Sequence, residues 1–106
     1  MSGEQGVLLT TLPGQEDARR LARMLVEEKL AACVQLLPIE SFFSWEGKVQ
    51  NEGEVLLFIK TRTALFDAAI AAIKAAHPYA VPEIVGWPFS TGHQPYLDWI
   101  DQVTTG

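Results

Sequence analysis

His77, Glu83 and Cys33 are the side chains in this sequence best suited to bind a metal ion. His77 is the strongest candidate, because a neutral imidazole is a good ligand for copper and zinc. Glu83 follows on the same proline-bounded segment and can place a carboxylate beside the imidazole. Together they predict a site for a divalent cation, with Cys33 as a third candidate ligand.

Structural roles are open for the same three residues. His77 can interact with the free carbonyls at a helix end. Cys33 can pack as a small apolar residue at the start of a strand. Glu83 can form an ion pair with Lys60 or an arginine. No pair among these residues and His93 has the spacing of a closed zinc site, so we expect a weaker site shared between subunits rather than a tight one in a single chain.

A second group of residues combines aromatic rings with a cation and a hydroxyl group. Rings beside a cation and a histidine can line a cleft for a small anion or metabolite. Large aromatic residues at helical spacing also pack in cores and interfaces, so a packing role is the alternative. The candidate ligand-binding residues are Trp45, Lys60, Thr61, Tyr79, Tyr96 and Trp99, with His77 beside them.

The sequence contains no motif that is typical of an enzyme. It has no nucleophile elbow, P-loop or dinucleotide-binding fingerprint. No general acid is paired with a base at a fixed spacing. We therefore expect a binding protein that is not an enzyme.

Composition and charge restrict the class of protein further. The chain has 106 residues, 48% of them hydrophobic, which fits a single packed domain over residues 1–106. The net charge is −5 and no basic stripe is present, so we expect no nucleic-acid partner. No apolar stretch is long enough to cross a bilayer, so we expect no membrane partner. The single cysteine and the N-terminal stretch MSGEQG, which lacks the character of a secretory signal, predict a cytoplasmic protein.

Apolar periodicity and turn signals predict alternating strands and helices around one hairpin. The hairpin covers residues 42–61, and Glu46-Gly47 forms its turn because glycine accepts a positive φ angle. Pro38 cannot donate a strand hydrogen bond, so it predicts a bulge or bend. Thr63 is the predicted N-cap of the second helix, which His77-Pro78 ends. The predicted elements are a strand at 7–12, a helix ending near residue 29, a strand at 32–45, a strand at 54–61, a helix at 64–76, a strand at 84–87 and a short helix beginning between residues 92 and 95.

This order of elements predicts an α+β fold, the ferredoxin-like split βαβ sandwich with a long central hairpin and an extra C-terminal helix. Side chains alternate along a strand, so Val55, Leu57 and Ile59 point to one face and Leu56 and Phe58 to the other. The two longer helices cover one face, and the final helix is too short to cover the second. Burying a Leu or Phe side chain is worth about 1.5–3 kcal/mol. We therefore expect a homo-oligomer.

Several short motifs occur in order along nearly the whole chain. They are EKLAAC at 28–33, WEGK at 45–48, EVLLFIKT at 54–61, HPYAVPE at 77–83 and YLDW at 96–99. In sequence and spacing they resemble the CutA family of divalent-cation tolerance proteins. The chain departs from the family in two places. Thr10-Thr11 stands where some bacterial members have a cysteine, and Gly92-His93 stands in place of the usual Gly-Asn.

The resemblance implies a ferredoxin-like fold assembled as a homotrimer, with the sheets around a threefold axis and strand edges paired between subunits. It also implies a response to metal through the binding of copper(II) or a similar divalent cation. A likeness to trimeric PII-type signalling proteins gives the alternative, which is a small-molecule-sensing or scaffold trimer with ligand clefts between subunits.

Overall fold

A four-stranded antiparallel sheet forms the centre of the computed structural model, which describes residues 4–105. Outside the described residues lie residue 106 and residues 1–3, the first half of the stretch MSGEQG. The strands are β1 (Gln5–Leu12), β2 (Cys33–Trp45), β3 (Lys48–Arg62) and β4 (Ile84–Pro88), in the order β2-β3-β1-β4. The helices are α1 (Gln15–Glu27), α2 (Phe66–Ala76) and α3 (Gln94–Thr104), with a 3-10 turn at Thr63–Leu65 before α2. This topology confirms the predicted ferredoxin-like α+β fold.

The main core lies between one face of the sheet and the helices α1 and α2, and we call this the inner face. Helix α1 buries an apolar stripe whose central members are Leu21 and Leu25. Helix α2 adds Ile73, and β3 contributes Leu57 and Ile59, which are both fully buried. The alternating burial along β3 therefore follows the predicted period of two.

The hairpin of β2 and β3 projects beyond the body of the molecule. The turn lies at Glu46-Gly47, as predicted, and the φ angles of 51° and 77° identify it as a two-residue type I′ turn. Strand β1 pairs with β3 only from Val55 onwards, so the outer half of the hairpin has no neighbouring strand. The Cα radius of gyration is consequently 14.5 Å, above the roughly 13 Å expected for a compact domain of this length.

The bulge predicted at Pro38 does not occur. β2 and β3 keep one register from Cys33↔Lys60 to Trp45↔Lys48, and Pro38 pairs regularly with Val55. A two-residue turn makes Trp45↔Lys48 a hydrogen-bonded pair, so alternation places Pro38 at a position whose backbone nitrogen points away from β3. Because β2 is an edge strand, the missing N–H removes no bond within the sheet.

Two predicted helix boundaries also differ from the structure. Helix α1 ends at Glu27 rather than near Lys29, because Lys29 adopts a left-handed conformation with a φ angle of 59°. The N–H of Leu30 then bonds to the carbonyl of Leu25 at 2.9 Å, which closes the helix in a Schellman motif. Thr63 begins a 3-10 turn instead of capping a helix with its side chain, since its hydroxyl donates to the carbonyl of Glu4.

The opposite face of the sheet, which we call the outer face, is covered only in part. Helix α3 packs there against β1 and β3, with Ile100 fully buried, and the guanidinium of Arg62 donates to the hydroxyl and carbonyl of Thr104. Beyond α3, a set of apolar side chains remains accessible, with Leu37 50% and Val85 52% exposed. We call this set the outer patch; register places its members side by side, and they are Leu9, Leu37, Leu56, Phe58 and Val85. No helix among residues 4–105 is long and apolar enough to span a membrane.

Candidate functional site

His77 lies at the end of α2 and uses both ring nitrogens within the chain. Its Nδ1 accepts a hydrogen bond of 3.1 Å from the backbone N–H of Tyr79. That bond requires an unprotonated Nδ1, so the neutral ring carries its proton on Nε2, which donates to the carbonyl of Thr11 at 2.8 Å. The imidazole therefore fastens the loop after α2 to the end of β1. A metal ion bound by His77 has to replace one of these two bonds.

Tyr79 connects the same loop to β3. Its hydroxyl donates to Oε2 of Glu54 at 2.9 Å, and its ring lies 4.9 Å from that of His77, centroid to centroid. Burial, the hydrogen bond to Glu54 and the negative charges of Glu54 and Glu52 together raise the pKa of Tyr79 to about 12. The phenol therefore stays protonated at physiological pH and remains a hydrogen-bond donor to the carboxylate.

A cavity of about 970 Å³ opens between the loop at 77–83 and the hairpin. We call it the hairpin cavity. Its walls carry four carboxylates, which belong to Glu40, Glu52, Glu54 and Glu83. None of the residues that line it, among those the structure describes, is a lysine, arginine or histidine. The cavity is therefore a region of negative potential and favours cations.

Aromatic rings form the other part of the hairpin cavity. Trp45 and Phe43 lie at alternate positions of β2 and so share the outer face, where they are 57% and 38% exposed. Tyr79 contributes a third ring from the loop. Of the sequence-predicted residues, the cavity thus brings together Trp45, Tyr79 and Glu83, beside the imidazole of His77.

Cys33, Lys60, Tyr96 and Trp99 form a separate group on the outer face, which we call the Lys60 cluster. Cys33 pairs with Lys60 across the sheet. The Nζ of Lys60 lies 5.7 Å from the ring centroid of Tyr96, and that ring stacks on Trp99 at 5.6 Å. Burial raises the pKa of Tyr96, with a further contribution from the charge of Cys33 and a hydrogen bond to it. The cluster combines a cation with aromatic faces, as the sequence suggested.

Distance along β3 separates the Lys60 cluster from the hairpin cavity. Lys60 and Glu54 are six residues apart, which is roughly 20 Å along a strand. Trp45 pairs with Lys48 at the far end, roughly 40 Å from Lys60. Thr61 belongs to neither group, because it is fully buried on the inner face. Within one chain, the candidate ligand-binding residues do not form a single cleft.

The metal-ligand candidates are divided in the same way. Cys33 belongs to the Lys60 cluster, whereas Glu83 lines the hairpin cavity and His77 lies beside it on the same loop, bonded to Tyr79. No group of three or more histidine, cysteine, aspartate or glutamate side chains is arranged to hold a metal ion within residues 4–105. A site that uses all three candidates therefore needs residues from more than one chain.

Glu52, Glu54 and Phe43 were not among the sequence-predicted site residues. The signal for them was present, because Glu52 and Glu54 are two residues apart on a strand and so share a face. What the sequence did not reveal is that Tyr79, 25 residues further along, meets that face. The acidic character of the cavity depends on this long-range contact.

Comparison with known proteins supplies the family. The sequence matches the family described as CutA1 divalent ion tolerance protein over residues 6–103. The divalent-cation tolerance protein CutA of Thermus thermophilus is 46% identical over 99 residues, which cover 92% of this chain and 96% of the relative. The chloroplastic CutA 1 of rice is 48% identical over 99 residues, but these cover only 56% of that relative.

Solved structures agree with the sequence matches. CutA1 from Oryza sativa superimposes with a TM-score of 0.94 at 45% identity, covering 98% of this chain and 96% of that one. The protein from Archaeoglobus fulgidus, described as a periplasmic divalent cation tolerance protein, gives 0.93 at 40% identity, with coverages of 95% and 99%. Sequence and fold thus match over nearly the full length of the chain. This chain belongs to the CutA1 family of divalent ion tolerance proteins.

Proposed function

We propose that this protein is a cytoplasmic homotrimer that binds copper(II) or a similar divalent cation at its subunit boundaries and does not act as an enzyme. Membership of the CutA1 family supports the general role in divalent-cation tolerance. The observation that carries the proposal is the division of the candidate ligands, with Cys33 at one end of the sheet and His77 and Glu83 towards the other. Neighbouring copies are the simplest way to bring these donors together.

The outer patch supports the assembly. Its five apolar side chains are contiguous across all four strands; Leu37 and Val85 are exposed, and the other three are half-buried. Each Leu or Phe removed from water contributes about 1.5–3 kcal/mol, so leaving the patch exposed is unfavourable. Strands β2 and β4 also end the sheet with unpaired edges that can accept further strands.

His77 can become a ligand at modest cost. Replacing either of its hydrogen bonds costs about 0.5–1.5 kcal/mol net, which is small beside a copper–imidazole bond. Nδ1 is the nitrogen that faces the loop, and Glu83 is exposed on that loop. A small movement of the loop would therefore free the ring nitrogen and bring a carboxylate with it. Cys33, free and half-buried, would come from a neighbouring copy.

A second candidate function is supported by the same division of residues. The Lys60 cluster offers a cation and stacked rings, and the hairpin cavity offers further rings from a distant part of the chain. If neighbouring subunits join the two, the resulting cleft has the character of a PII-like metabolite site. In this interpretation Lys60 binds an anionic group of the ligand.

Calorimetric titration with Cu²⁺ tests the proposal. We expect the wild-type protein to bind Cu²⁺ and the variant His77→Ala to bind it about tenfold more weakly or worse, because an imidazole ligand is lost. His93→Ala is the matched control, since His93 is exposed before α3 and should leave binding unchanged. Circular dichroism checks that each variant is folded. Glu83→Gln, on an exposed side chain, is a second ligand test that leaves the His77 bonds intact.

Two outcomes would count against the proposal. Cu²⁺ binding that is equal in wild type, His77→Ala and Glu83→Gln would remove both residues from the site. Absence of Cu²⁺ binding, together with thermal stabilisation by phosphorylated metabolites that Lys60→Ala abolishes, would favour the second candidate function.

A further inference from the structure

We propose that Lys60 of each copy forms an ion pair with the carboxylates of Glu52 and Glu54 on the next copy. The partner of the acidic end of the outer face is then a second copy of this chain. The inference rests on the trimer of the proposed function and deepens it, because it names the charges that align one copy on the next. It is carried by the order of charges along β3, by the lack of partners for them within one chain, and by the distance between them.

The outer face of β3 is charged at both ends and apolar in the middle. Alternate residues of a strand share one face, so every second residue of β3 belongs to this surface. Its negative end is followed by two members of the outer patch and then by a positive end. In chain order these residues are Glu52, Glu54, Leu56, Phe58, Lys60 and Arg62. A neighbouring copy that covers the outer patch therefore also meets charges of both signs.

Neither charged end is neutralised by an ion pair within the chain. Among the residues that the structure describes, the ion pairs join side chains of α1 only. Arg62 is held by the hydroxyl and carbonyl of Thr104, so Lys60 is the cation at its end that lacks an oxygen partner. The Nζ of Lys60 lies over the ring of Tyr96, and the side chain is half-buried. A charge that is partly removed from water is stabilised when an opposite charge reaches it.

Distance excludes this ion pair within one chain. Lys60 and Glu54 are separated by roughly 20 Å along β3, whereas an ion pair requires nitrogen and oxygen within about 4 Å. Two different patches that complement each other form a head-to-tail contact between copies, and such a contact closes a ring when the rotation between copies permits. Packing that brought the same ends together would place like charges opposite each other, which is unfavourable.

Aromatic side chains accompany both charged ends. Trp45 is 57% exposed on the hairpin, and Tyr96 and Trp99 are 37% and 39% exposed beside Lys60. Rings that pack around an ion pair exclude water from it, and the attraction between the charges is stronger where water is excluded. A Lys60 paired with protein carboxylates is not available to an anionic metabolite. The inference therefore argues against the second candidate function.

Charge reversal tests the ion pair, with mass from light scattering over a dilution series as the readout. Lys60→Glu should raise the concentration at which the trimer dissociates about tenfold or more, because it places like charges opposite each other. Glu52→Lys should act in the same way, and it keeps the bond between Tyr79 and Glu54. The double variant should dissociate at a lower concentration than either single variant, since opposite charges face each other again. Such a recovery cannot result from misfolding.

Lys74→Glu is the matched control. It makes the same change of charge at an exposed position of α2, on the other side of the sheet, and should leave dissociation unchanged. Equal weakening by Lys74→Glu and Lys60→Glu would mean that net charge is responsible and would overturn the inference. Circular dichroism checks that each variant is folded.

Two further results would overturn the inference while the proposed function stands. One is a trimer whose dissociation neither Lys60→Glu nor Glu52→Lys changes. The other is a double variant in which the two losses simply add, because residues in contact do not behave independently. A folded wild-type chain of 11.7 kDa would instead remove the proposed trimer itself, and the ion pair with it.

Discussion

The imidazole of His77 holds the loop after α2 against the end of β1 through both ring nitrogens. The proline after His77 was sufficient to predict the end of the helix, and the imidazole was sufficient to predict a candidate metal ligand. The two partners of the ring could not be predicted, because the carbonyl of Thr11 is 66 residues away in sequence. At this scale, the sequence indicates what a side chain can do, and the tertiary contacts decide which of these roles it has in the unliganded chain.

Lys29 gives a prediction at the residue scale. Its φ angle of 59° is a conformation that costs an L-residue about 1–2 kcal/mol and costs glycine almost nothing. We expect Lys29→Gly to raise the free energy of unfolding by about 0.5–1 kcal/mol in urea denaturation, after the greater unfolded-state entropy of glycine is subtracted. Lys29→Ala keeps the strain and should give no gain. A loss of stability in Lys29→Gly would contradict the Schellman interpretation.

Turns and helix ends whose signals are local were predicted from the sequence, whereas β3 begins at Lys48, six residues before the strand predicted at 54–61. The hairpin turn at Glu46-Gly47 and the end of α2 at His77 depend on neighbouring residues and were confirmed. Pro38 and Thr63 were interpreted wrongly because their roles depend on distant partners. An edge position makes proline harmless, and Glu4 takes the hydroxyl that would otherwise cap a helix. The split of the candidate ligand-binding residues into two groups likewise required the full strand register.

Gly86 gives a prediction at the element scale. A Cβ placed there would collide with the carbonyl oxygen of Val7 and lie 2.8 Å from a methyl group of Leu8, so β4 and β1 would have to separate. We expect Gly86→Ala to lower the free energy of unfolding by about 1–3 kcal/mol in urea denaturation. Gly53→Ala is the matched control, because a Cβ there meets no atom within 4 Å. Equal stability of Gly86→Ala and Gly53→Ala would contradict the close packing of β1 against β4.

The whole molecule is a sheet with two apolar faces, and its two longer helices cover only one of them. α1 and α2 bury the inner face, whereas α3 covers only the end of the outer face near Arg62 and Thr104. The extents of 48 × 26 × 21 Å show how far the hairpin stands out from the body. Alternation along Val55 to Ile59 was sufficient to predict that both faces are apolar. How much of the outer face α3 leaves open could only be known from its packing.

Phe58 is the residue through which the assembly is best disrupted, because it is at the centre of the outer patch, next to Leu9 on β1. A carboxylate at that position would be buried without a partner if copies pack on the patch. Phe58→Asp should therefore give smaller particles at equal concentration. Val81→Asp adds the same charge at a side chain that is 83% exposed on the loop and should leave the particle size unchanged.

Multi-angle light scattering at low micromolar concentration is the most direct test of this account. We predict a wild-type mass three times that of the 11.7 kDa chain, which falls in Phe58→Asp and stays constant in Val81→Asp. A folded wild-type species of 11.7 kDa would contradict it. In that case the outer patch is stable in water, and a metal site built from neighbouring copies does not exist.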